Sequence, residues 1–375
     1  MITTEQTEAC LLEVHRSVIT DRGAAWDALR AGGRVLPVDG SDWELPLAHA
    51  YGETYPAPAM FFTRREDVAA ALIDPNLTAP LSLGVINGYQ VLPDLAWMTD
   101  EGRRVLTTAI DPRWSRRTAA LFTRVVTGLF DRIAERGRCE AMAEVCSPLL
   151  DYLWYSMFYL PTDAYPPPSL RDLVAVRRAQ PGTTDLITRI ITVAPQITDD
   201  EVFALAVFCY HAARSVGHIF GFALLELARR PDLARRLREN PHEIPVFVEE
   251  VMRTEVPAPW VWRVASAPTR VGDVDLPQGT CIALALGAAN CEGDGGNNVN
   301  DSTRKHFGLG AGQSRCRGNH LVRAALRGAL NEWLTRVPTF TLAPNQDPLR
   351  VWGREAEPTN NVSLAVSLRE LKLQW

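Results

Sequence analysis

The most informative part of the chain is a loop with the sequence LGAGQSRCRGNHL, which runs from Leu309 to Leu321. Gly310 and Gly312 predict a tight turn whose backbone amides face inward, because glycine adopts conformations that are closed to other residues. Cys316 follows in the same loop, just before a segment with helical spacing that opens at Gly318. The sequence therefore predicts a thiol presented at the start of a helix.

A thiol in this position has two interpretations. The positive end of a helix dipole favours the thiolate form, and a thiolate held by backbone donors is what a haem iron with one cysteine ligand requires. A buried cysteine that only fills space before a helix is the commoner arrangement when such a loop is considered alone. The surrounding sequence has to decide between them.

The composition excludes several classes of protein. The 375 residues carry a net charge of −5, which argues against the basic surface of a nucleic-acid-binding protein. There is no apolar run of about 18 residues that would predict a membrane-spanning helix, and the first ten residues lack the apolar centre of a signal peptide. Seven scattered cysteines without a CxxC pair favour a reducing compartment. We therefore expect a cytoplasmic protein that binds neither nucleic acid nor membrane.

Three motifs in order identify a family. The loop around Cys316 resembles the haem-binding loop of the cytochromes P450, in which Phe-Gly-x-Gly-x-His/Arg-x-Cys-x-Gly precedes a helix. Upstream, Glu250 and Arg253 are similar to the family's Glu-x-x-Arg pair, and Arg263 in the sequence WRVA is similar to the arginine that pairs with a haem propionate. The order and spacing agree over roughly residues 55–370. The resemblance implies haem b with the Cys316 thiolate as its axial ligand.

The resemblance also implies the fold and the domain organisation. We expect a mainly α protein with small β-sheets, the cytochrome P450 fold, as a single haem domain over residues 1–375. The coarse pattern predicts helices over 116–136, 140–160 and 241–253, and one long apolar helix from Thr198 to Leu227. The lid region, about 162–197, is shorter than the family usually has, and Pro166–Pro168 stiffens it. A short lid favours a bulky substrate or one presented by a carrier.

Several residues around the haem are implied by the resemblance. Arg263 and Arg103 are expected to neutralise the propionates, with Arg103 standing where the family usually has histidine. Gly310, Gly312, Ser314 and Gly318 are expected to form the cradle around the cofactor. Ser314 departs from the usual histidine or arginine, and a solvent-exposed helix face is the alternative for Arg103.

The long central helix departs most from the family. Monooxygenases carry an acid followed by an alcohol there. Alignment from the downstream Pro231, which we prefer, places Arg214 and Ser215 on that pair, whereas alignment from Thr198–Glu201 places Ser215 and Val216 on it. Three interpretations remain open. Arg214 binds a substrate carboxylate that replaces the acid, or the substrate supplies its own protons through a phenol or an indole. In the third interpretation Arg214 contacts solvent or a buried partner, and Ser215 with water is enough to deliver the protons. A positioned acid raises the rate of a proton transfer by about 10²–10⁴-fold. The enzyme must therefore either replace the missing acid or catalyse a reaction that does not need it.

Further positions are implied to line the pocket. They are the ranges 81–97, 257–262 and 357–362, with Trp260, Trp262, His211 and His218 as the candidate substrate-binding residues. The two tryptophans flank Val261, so strand alternation directs one or both towards a ligand, and an aromatic wall suits an aromatic substrate. Packing into the core is the alternative for each of the four.

These features together predict a function. We expect a bacterial haem-thiolate oxidase that tailors a specialised metabolite, as in antibiotic biosynthesis, by hydroxylation or oxidative coupling of a bulky substrate, aromatic or carrier-bound. A ferredoxin with its reductase is the expected electron donor, and a monomer the expected state. The alternatives are a peroxide-dependent peroxygenase in which Arg214 anchors a carboxylate, and a non-oxidative haem-thiolate enzyme that catalyses dehydration or rearrangement.

Overall fold

The structure is a computed structural model that describes residues 18–37, 60–78, 85–86, 89–90, 100–160, 169–181, 184–293, 305–352 and 366–375. The helices are α1 (Arg22–Ala31), α2 (Arg65–Ile73), α3 (Asp100–Ala109), α4 (Pro112–Ala134), α5 (Ser147–Phe158), α6 (Leu170–Ala179), α7 (Leu186–Val193), α8 (Asp199–Ala212), α9 (Arg214–Arg229), α10 (Pro231–Glu239), α11 (Ile244–Thr254), α12 (Leu286–Asn290) and α13 (Asn319–Arg336). The strands are β1 (Val35–Pro37), β2 (Met60–Phe62), β3 (Leu77–Thr78), β4 (Val85–Ile86), β5 (Tyr89–Gln90), β6 (Arg138–Glu140), β7 (Val261–Ala265), β8 (Thr269–Val271), β9 (Val274–Leu276), β10 (Cys281–Leu284), β11 (Thr341–Leu342), β12 (Arg350–Trp352), β13 (Val366–Leu368) and β14 (Lys372–Gln374).

The chain divides into two compact units. The first comprises residues 1–93, 249–316 and 349–369, and the second comprises residues 94–248, 317–348 and 370–375. Each unit is built from separate stretches of the chain, so neither follows from a simple boundary in the sequence. The expectation of a single haem domain stays a prediction.

The first unit is organised around a five-stranded sheet with the order β1-β2-β10-β7-β3. Strand β10 pairs in parallel with β2 and antiparallel with β7, which places Ile282 opposite Arg263. Apolar side chains of this sheet and of α2 and α12 form a buried cluster that includes Phe62, Leu72 and Leu284. The sheet therefore gives β7 and the segments around it a rigid base.

The second unit is mainly helical. Helix α13 packs along α4 so closely that a Cβ on Gly328 would overlap the Thr123 hydroxyl. Trp333 of α13 is fully buried and makes edge-to-face contacts with Phe130 and Phe340. Strands β11, β14 and β6 form a small antiparallel sheet that joins the C-terminal residues to the same unit.

The predicted helix from Thr198 to Leu227 is interrupted, which corrects the expectation of one continuous element. Helix α8 ends at Ala212 and α9 begins at Arg214, with a turn at Ala213. The amide of Val216 donates to the Ala213 carbonyl at 3.0 Å, a three-residue spacing, and the Ser215 hydroxyl donates to the Ala212 carbonyl at 2.9 Å. A hydroxyl that bonds back to the preceding turn competes with the helical ladder and bends helices.

The predicted helix over 140–160 begins one residue later than expected and has an irregular first part. Glu140 ends strand β6, a π-helical turn follows over Met142–Cys146, and α5 starts at Ser147. Pro148 has no amide to continue the regular ladder into the preceding turn, which favours an irregular start. Pairing of β6 with β14, about 230 residues away in sequence, fixes the strand that the apolar spacing concealed.

One segment of the described residues, Asp199–Arg229, is long and apolar enough to cross a membrane by length and composition. Its most apolar 18 residues have a mean hydropathy of 1.3, and 59% of that stretch is buried inside the structure. A buried core helix needs the same apolar composition. The segment is therefore accounted for by its place in the helical unit.

Candidate functional site

The cysteine loop, residues 305–316, is a series of tight turns in the first unit. Gly310 and Gly312 have φ values of 66° and 60°, which confirms the turn that the two glycines predict. The amide of Gly310 donates to the Phe307 carbonyl and the amide of Cys316 to the Leu309 carbonyl, both at 2.8 Å. A short 3₁₀ turn, Gly312–Ser314, lies between them and contains the half-buried Ser314.

Gly312 is required for a second reason, which sequence reasoning did not reveal. A Cβ at this position would overlap the carbonyl oxygen of Leu72 and lie 2.9 Å from the Ile73 Cα. The neighbouring Gln313 donates from Nε2 to the Pro75 carbonyl at 3.1 Å. The end of α2 and the segment after it therefore support the cysteine loop from one side.

Replacement of Gly312 by alanine is expected to lower the free energy of unfolding by about 3 kcal/mol, since a non-glycine residue at positive φ costs about 1–3 kcal/mol and the overlap with Leu72 adds to it. Gly279→Ala is the matched control, because Gly279 also has a positive φ (87°) but has open space around a Cβ. Chemical denaturation measures both. Equal losses in the two variants would show that contact with Leu72 contributes nothing.

Four of the other five described cysteines are poor candidates for a thiolate. Burial raises the pKa of the Cys139 thiol to about 12 and that of Cys281 to about 11, and it raises the pKa of Cys146 further. Burial also raises the pKa of Cys291, although nearby arginines oppose that change. Cys316 is only half-buried and lies in the loop with glycine turns. It is the best placed of these thiols to act as a ligand.

Arg263 on β7 is a buried cation without an acidic partner among the described residues. Its side chain is 4% exposed, Nη1 donates to the Trp262 carbonyl at 2.6 Å, and Nε has no hydrogen-bond partner there. Burial lowers the pKa of the guanidinium to about 10, which leaves it charged at neutral pH. A buried charge without a counter-charge is costly. A carboxylate from a bound cofactor would remove that cost, so Arg263 fits a haem propionate.

The two predicted pocket tryptophans differ in their surroundings. Trp260 is buried and packs edge-to-face on Phe61, with ring centroids 5.8 Å apart, which is the contact expected of a core side chain. Trp262 is half-buried on β7, opposite Ala283 of β10. The assignment of either ring to a substrate stays a prediction.

Sequence reasoning recognised the Glu250–Arg253 pair but missed its connections. Arg253 is 3% exposed and donates from Nε and Nη2 to the two carboxylate oxygens of Glu250, each at 2.8 Å. Its Nη1 donates to the Asn290 carbonyl at 2.7 Å. His306 is the second residue that was missed, and its Nε2 lies 3.2 Å from the Glu249 carboxylate. A lone asparagine or histidine gives no sequence signal of such a contact.

The second unit contains the residues predicted on the central helix. Arg214 and Ser215 open α9 and are half-buried, and the Ser215 hydroxyl is engaged with the Ala212 carbonyl. Asp151 of α5 is an electrostatic neighbour of Arg214: burial raises the pKa of that carboxyl and Arg214 lowers it. His211 lies in the last turn of α8. Arg214 therefore has an acidic neighbour in its own unit, and each of the three interpretations of this arginine stays a prediction.

His218 is enclosed within the second unit. It is 6% exposed, and its Nδ1 has no hydrogen-bond partner among the described residues. Burial, with a smaller contribution from Arg214, lowers the pKa of the imidazole to about 4. The preceding residue, Gly217, packs against the π-helical turn, where a Cβ would lie 2.6 Å from the Cys146 carbonyl oxygen. This part of α9 is thus closely packed and holds a neutral histidine.

We expect His218 to make stability fall as the pH is lowered. Because the imidazole pKa is about 4 in the folded state and about 6.5 in the unfolded chain, the unfolded state binds the extra proton between these values. The free energy of unfolding is therefore highest above pH 6.5 and falls by about 3 kcal/mol as the pH is lowered to 4. Denaturant titrations across this range should show a flatter profile for His218→Leu. The exposed His242→Leu is the control, and a profile unchanged in both variants would contradict the expectation.

The remaining predicted residues are located as follows. Arg103 is half-buried on α3, and its carbonyl accepts a hydrogen bond of 2.6 Å from the Thr107 hydroxyl. Gly318 precedes α13 as its N-terminal cap. Of the predicted pocket ranges, 357–362 lies outside the described residues, and in 81–97 only the backbone of β4 and β5 is described. Residues 161–168, in and beside the predicted lid, also lie outside them.

Comparison with known proteins identifies the fold. No family model matches the chain. The solved structure of P450BioI in complex with an acyl carrier protein ligated to hexadec-9Z-enoic acid superposes with a TM-score of 0.76, covering 96% of this chain and 100% of that one at 20% identity. Cytochrome P450 CYP101C1 gives a TM-score of 0.74 over 95% and 93% of the two chains, also at 20% identity. The mainly α fold with small sheets is thus confirmed as the cytochrome P450 fold.

The curated relatives agree with the fold. Cytochrome P450 107B1 of Saccharopolyspora erythraea is 31% identical over 191 residues, 48% of this chain and 47% of the relative. The chain is thus similar to the cytochromes P450 in sequence as well as in fold. Mycinamicin VIII C21 methyl hydroxylase of Micromonospora griseorubida is 28% identical over 214 residues, 55% and 53% of the two chains. The chain matches only about half the length of these curated relatives.

The likeness to cytochromes P450 in fold and sequence implies haem with an axial cysteine thiolate. The first unit fits that group on two independent observations: a half-buried cysteine in a glycine-turned loop, and the buried Arg263 cation without an acidic partner among the described residues. Cys316 would supply the thiolate and Arg263 would neutralise a propionate.

Proposed function

We propose that this protein is a haem-thiolate oxidase that tailors a specialised metabolite by hydroxylation or oxidative coupling. The observation that carries the proposal is the combination of Cys316, in a loop turned by Gly310 and Gly312, with the buried cation of Arg263 in the same unit. The family's haem supplies oxidation of a substrate bond when bound. Cys316 would donate electron density to the iron, and Arg263 would help to orient the cofactor through its charge.

The substrate class is inferred from the relatives and from the short lid. One relative is named as a methyl hydroxylase of mycinamicin, and one structural neighbour holds a fatty acid on an acyl carrier protein. Helices α6 and α7 have only ten and eight residues, which supports a bulky or carrier-presented substrate. We propose a soluble cytoplasmic monomer that takes electrons from a ferredoxin and its reductase. Arginines exposed on α4, among them Arg113 and Arg116, offer positive charge for an acidic donor.

The position of Arg214 favours a second candidate function. At the start of α9 the chain has an arginine where monooxygenases of the family have an acid, and Asp151 is its acidic neighbour. A substrate carboxylate that displaced Asp151 would bring an acid to this position, as a peroxide-using enzyme needs. The third candidate function is a non-oxidative enzyme that catalyses dehydration or rearrangement. Such a reaction uses no external electrons and needs no relay of protons to oxygen.

One set of measurements separates these functions. The purified protein is first reduced and treated with carbon monoxide; a thiolate-type band is expected, and its absence would overturn the haem-thiolate proposal. A panel of bulky and carrier-bound aromatic and acyl compounds is then incubated with ferredoxin and reductase under air, with hydrogen peroxide alone, and without oxidant under argon. Turnover only in the first arm supports the oxidase. Turnover in the second or third arm instead supports the peroxygenase or the non-oxidative enzyme.

Arg214→Leu and Asp151→Asn test the role of the arginine in the same assay. Loss of the cation is expected to weaken the binding of carboxylate-bearing compounds about 10-fold, the worth of a charge-assisted hydrogen bond. Asp151→Asn removes the competing acid and should strengthen their binding. Unchanged affinities in both variants would eliminate Arg214 as a substrate anchor.

A further inference from the structure

Asn290, which no part of the proposed function uses, connects two parts of the first unit. It is 2% exposed and lies at the end of α12, and both polar atoms of its side chain are engaged. Nδ2 donates to the Arg253 carbonyl at 3.1 Å, in the last turn of α11. Oδ1 accepts from the Phe307 amide at 2.7 Å, at the start of the cysteine loop. A single amide thus joins α11 to that loop.

The connection continues on both sides. On the α11 side, Arg253 returns a hydrogen bond of 2.7 Å from Nη1 to the Asn290 carbonyl and pairs with Glu250 through two bonds of 2.8 Å. On the loop side, the carbonyl of Phe307 accepts from the Gly310 amide at 2.8 Å. The Arg65 guanidinium also covers the ring of Phe307, 4.8 Å from its centroid. Asn290 therefore stands between a rigid ion pair and the first turn of the loop.

The following residues of the loop have an anchor of their own. The Gly308 amide donates to His306 Nδ1 at 3.0 Å, and His306 Nε2 lies 3.2 Å from the Glu249 carboxylate on α11. The backbone at Gly308 lies so close to the Met252 carbonyl that a Cβ would overlap it. This second anchor would keep the loop on α11 when the Asn290 amide is removed. Loss of Asn290 should accordingly disturb the orientation of the loop more than its folding.

We propose that Asn290 is a positioning residue for Cys316: its amide fixes the first turn of the cysteine loop on the end of α11, and the approach of the thiolate to the haem iron depends on that turn. The proposal rests on the proposed haem-thiolate function. Outer residues that orient a metal ligand typically contribute about 10- to 100-fold in affinity for the metal group. A variant without the amide should therefore bind haem more weakly and form fewer thiolate-type complexes.

The test compares Asn290→Leu and Asn290→Asp with the wild type. Leucine has nearly the same volume and makes neither hydrogen bond, whereas aspartate keeps an acceptor for the Phe307 amide and loses the donor to the Arg253 carbonyl. Haem affinity is measured by titrating haem into the haem-free protein, and the thiolate-type share by the spectrum of the reduced carbon monoxide complex. We expect a loss of affinity of about 10- to 100-fold for leucine and a smaller one for aspartate, with a matching fall in the thiolate-type band.

A control separates positioning from general destabilisation. Phe130→Leu replaces a buried ring of the other unit, which stacks on Phe220, with a smaller side chain. It should lower stability while leaving every residue of the loop unchanged. If its thermal unfolding midpoint matches that of Asn290→Leu, this control should still show the wild-type absorption band. The proposal is overturned if Asn290→Leu keeps the wild-type affinity and band, if Phe130→Leu changes them as much, or if neither Asn290 variant folds. Absence of a thiolate-type band in the wild type would instead overturn the proposed function itself.

Discussion

Replacement of Cys316 by alanine is expected to abolish the thiolate-type absorption band while leaving the protein folded. Cys316 is half-buried at the end of its loop, so the loss of one sulfur atom should cost about 1 kcal/mol of stability. The amide of residue 316 still donates to the Leu309 carbonyl, since that bond is made by the backbone. The loop conformation is thus retained and the ligand alone is removed.

The measurement is the reduced carbon monoxide difference spectrum, with Cys291→Ala as the matched control. Cys291 lies in the same unit and is also half-buried, and burial raises the pKa of its thiol. The control should give the wild-type band in full. A thiolate-type band that survived in Cys316→Ala would show that another cysteine binds the iron, and the assignment of the loop would then be wrong.

The local parts of the candidate site were predictable because short-range physics determines them. Gly310 and Gly312 are needed where φ is positive, and Glu250 and Arg253 are three residues apart on a helix face, where an ion pair is expected. The strand around Arg263 also follows from its pattern of side chains. In each case the residues that make the contact are neighbours in sequence.

The parts that were not predictable depend on distant partners. Asn290 is 37 residues from Arg253 and 17 from Phe307, and the backbone that excludes a side chain at Gly312 belongs to Leu72. A single sequence carries no record of such pairs.

Apolar periodicity misled in two places for a related reason. It continues through Ala213, where the hydrogen-bond ladder of the central helix is interrupted and the Ser215 hydroxyl donates back to the Ala212 carbonyl. It also continues through Glu140, where pairing of β6 with the C-terminal β14 overrides the local helical pattern. Hydrophobic spacing reports which side chains are buried, and it reports the backbone hydrogen bonds only indirectly.

Replacement of Arg263 by methionine is expected to change two properties in opposite directions. In the haem-free protein the guanidinium is buried without an acidic partner among the described residues, and burial lowers its pKa to about 10. Methionine has a similar length and no charge, so the haem-free variant should be more stable by about 2 kcal/mol. Haem binding, by contrast, loses the cation that neutralises a propionate, at a cost of about 2 kcal/mol or more.

A cost of that size corresponds to about 30-fold weaker haem binding. Denaturation of the haem-free protein and titration with haem measure the two effects separately. Arg270→Met is the control, because Arg270 is exposed on β8 and pairs with the exposed Asp275 at 2.6 Å, a surface ion pair worth little. It should change neither property. The opposite signs of the two effects at Arg263 are the decisive result. Replacing a purely structural arginine would lower the stability of the protein and leave its affinity for haem unchanged. A buried cation that pairs with a propionate, by contrast, must destabilise the protein until the cofactor binds.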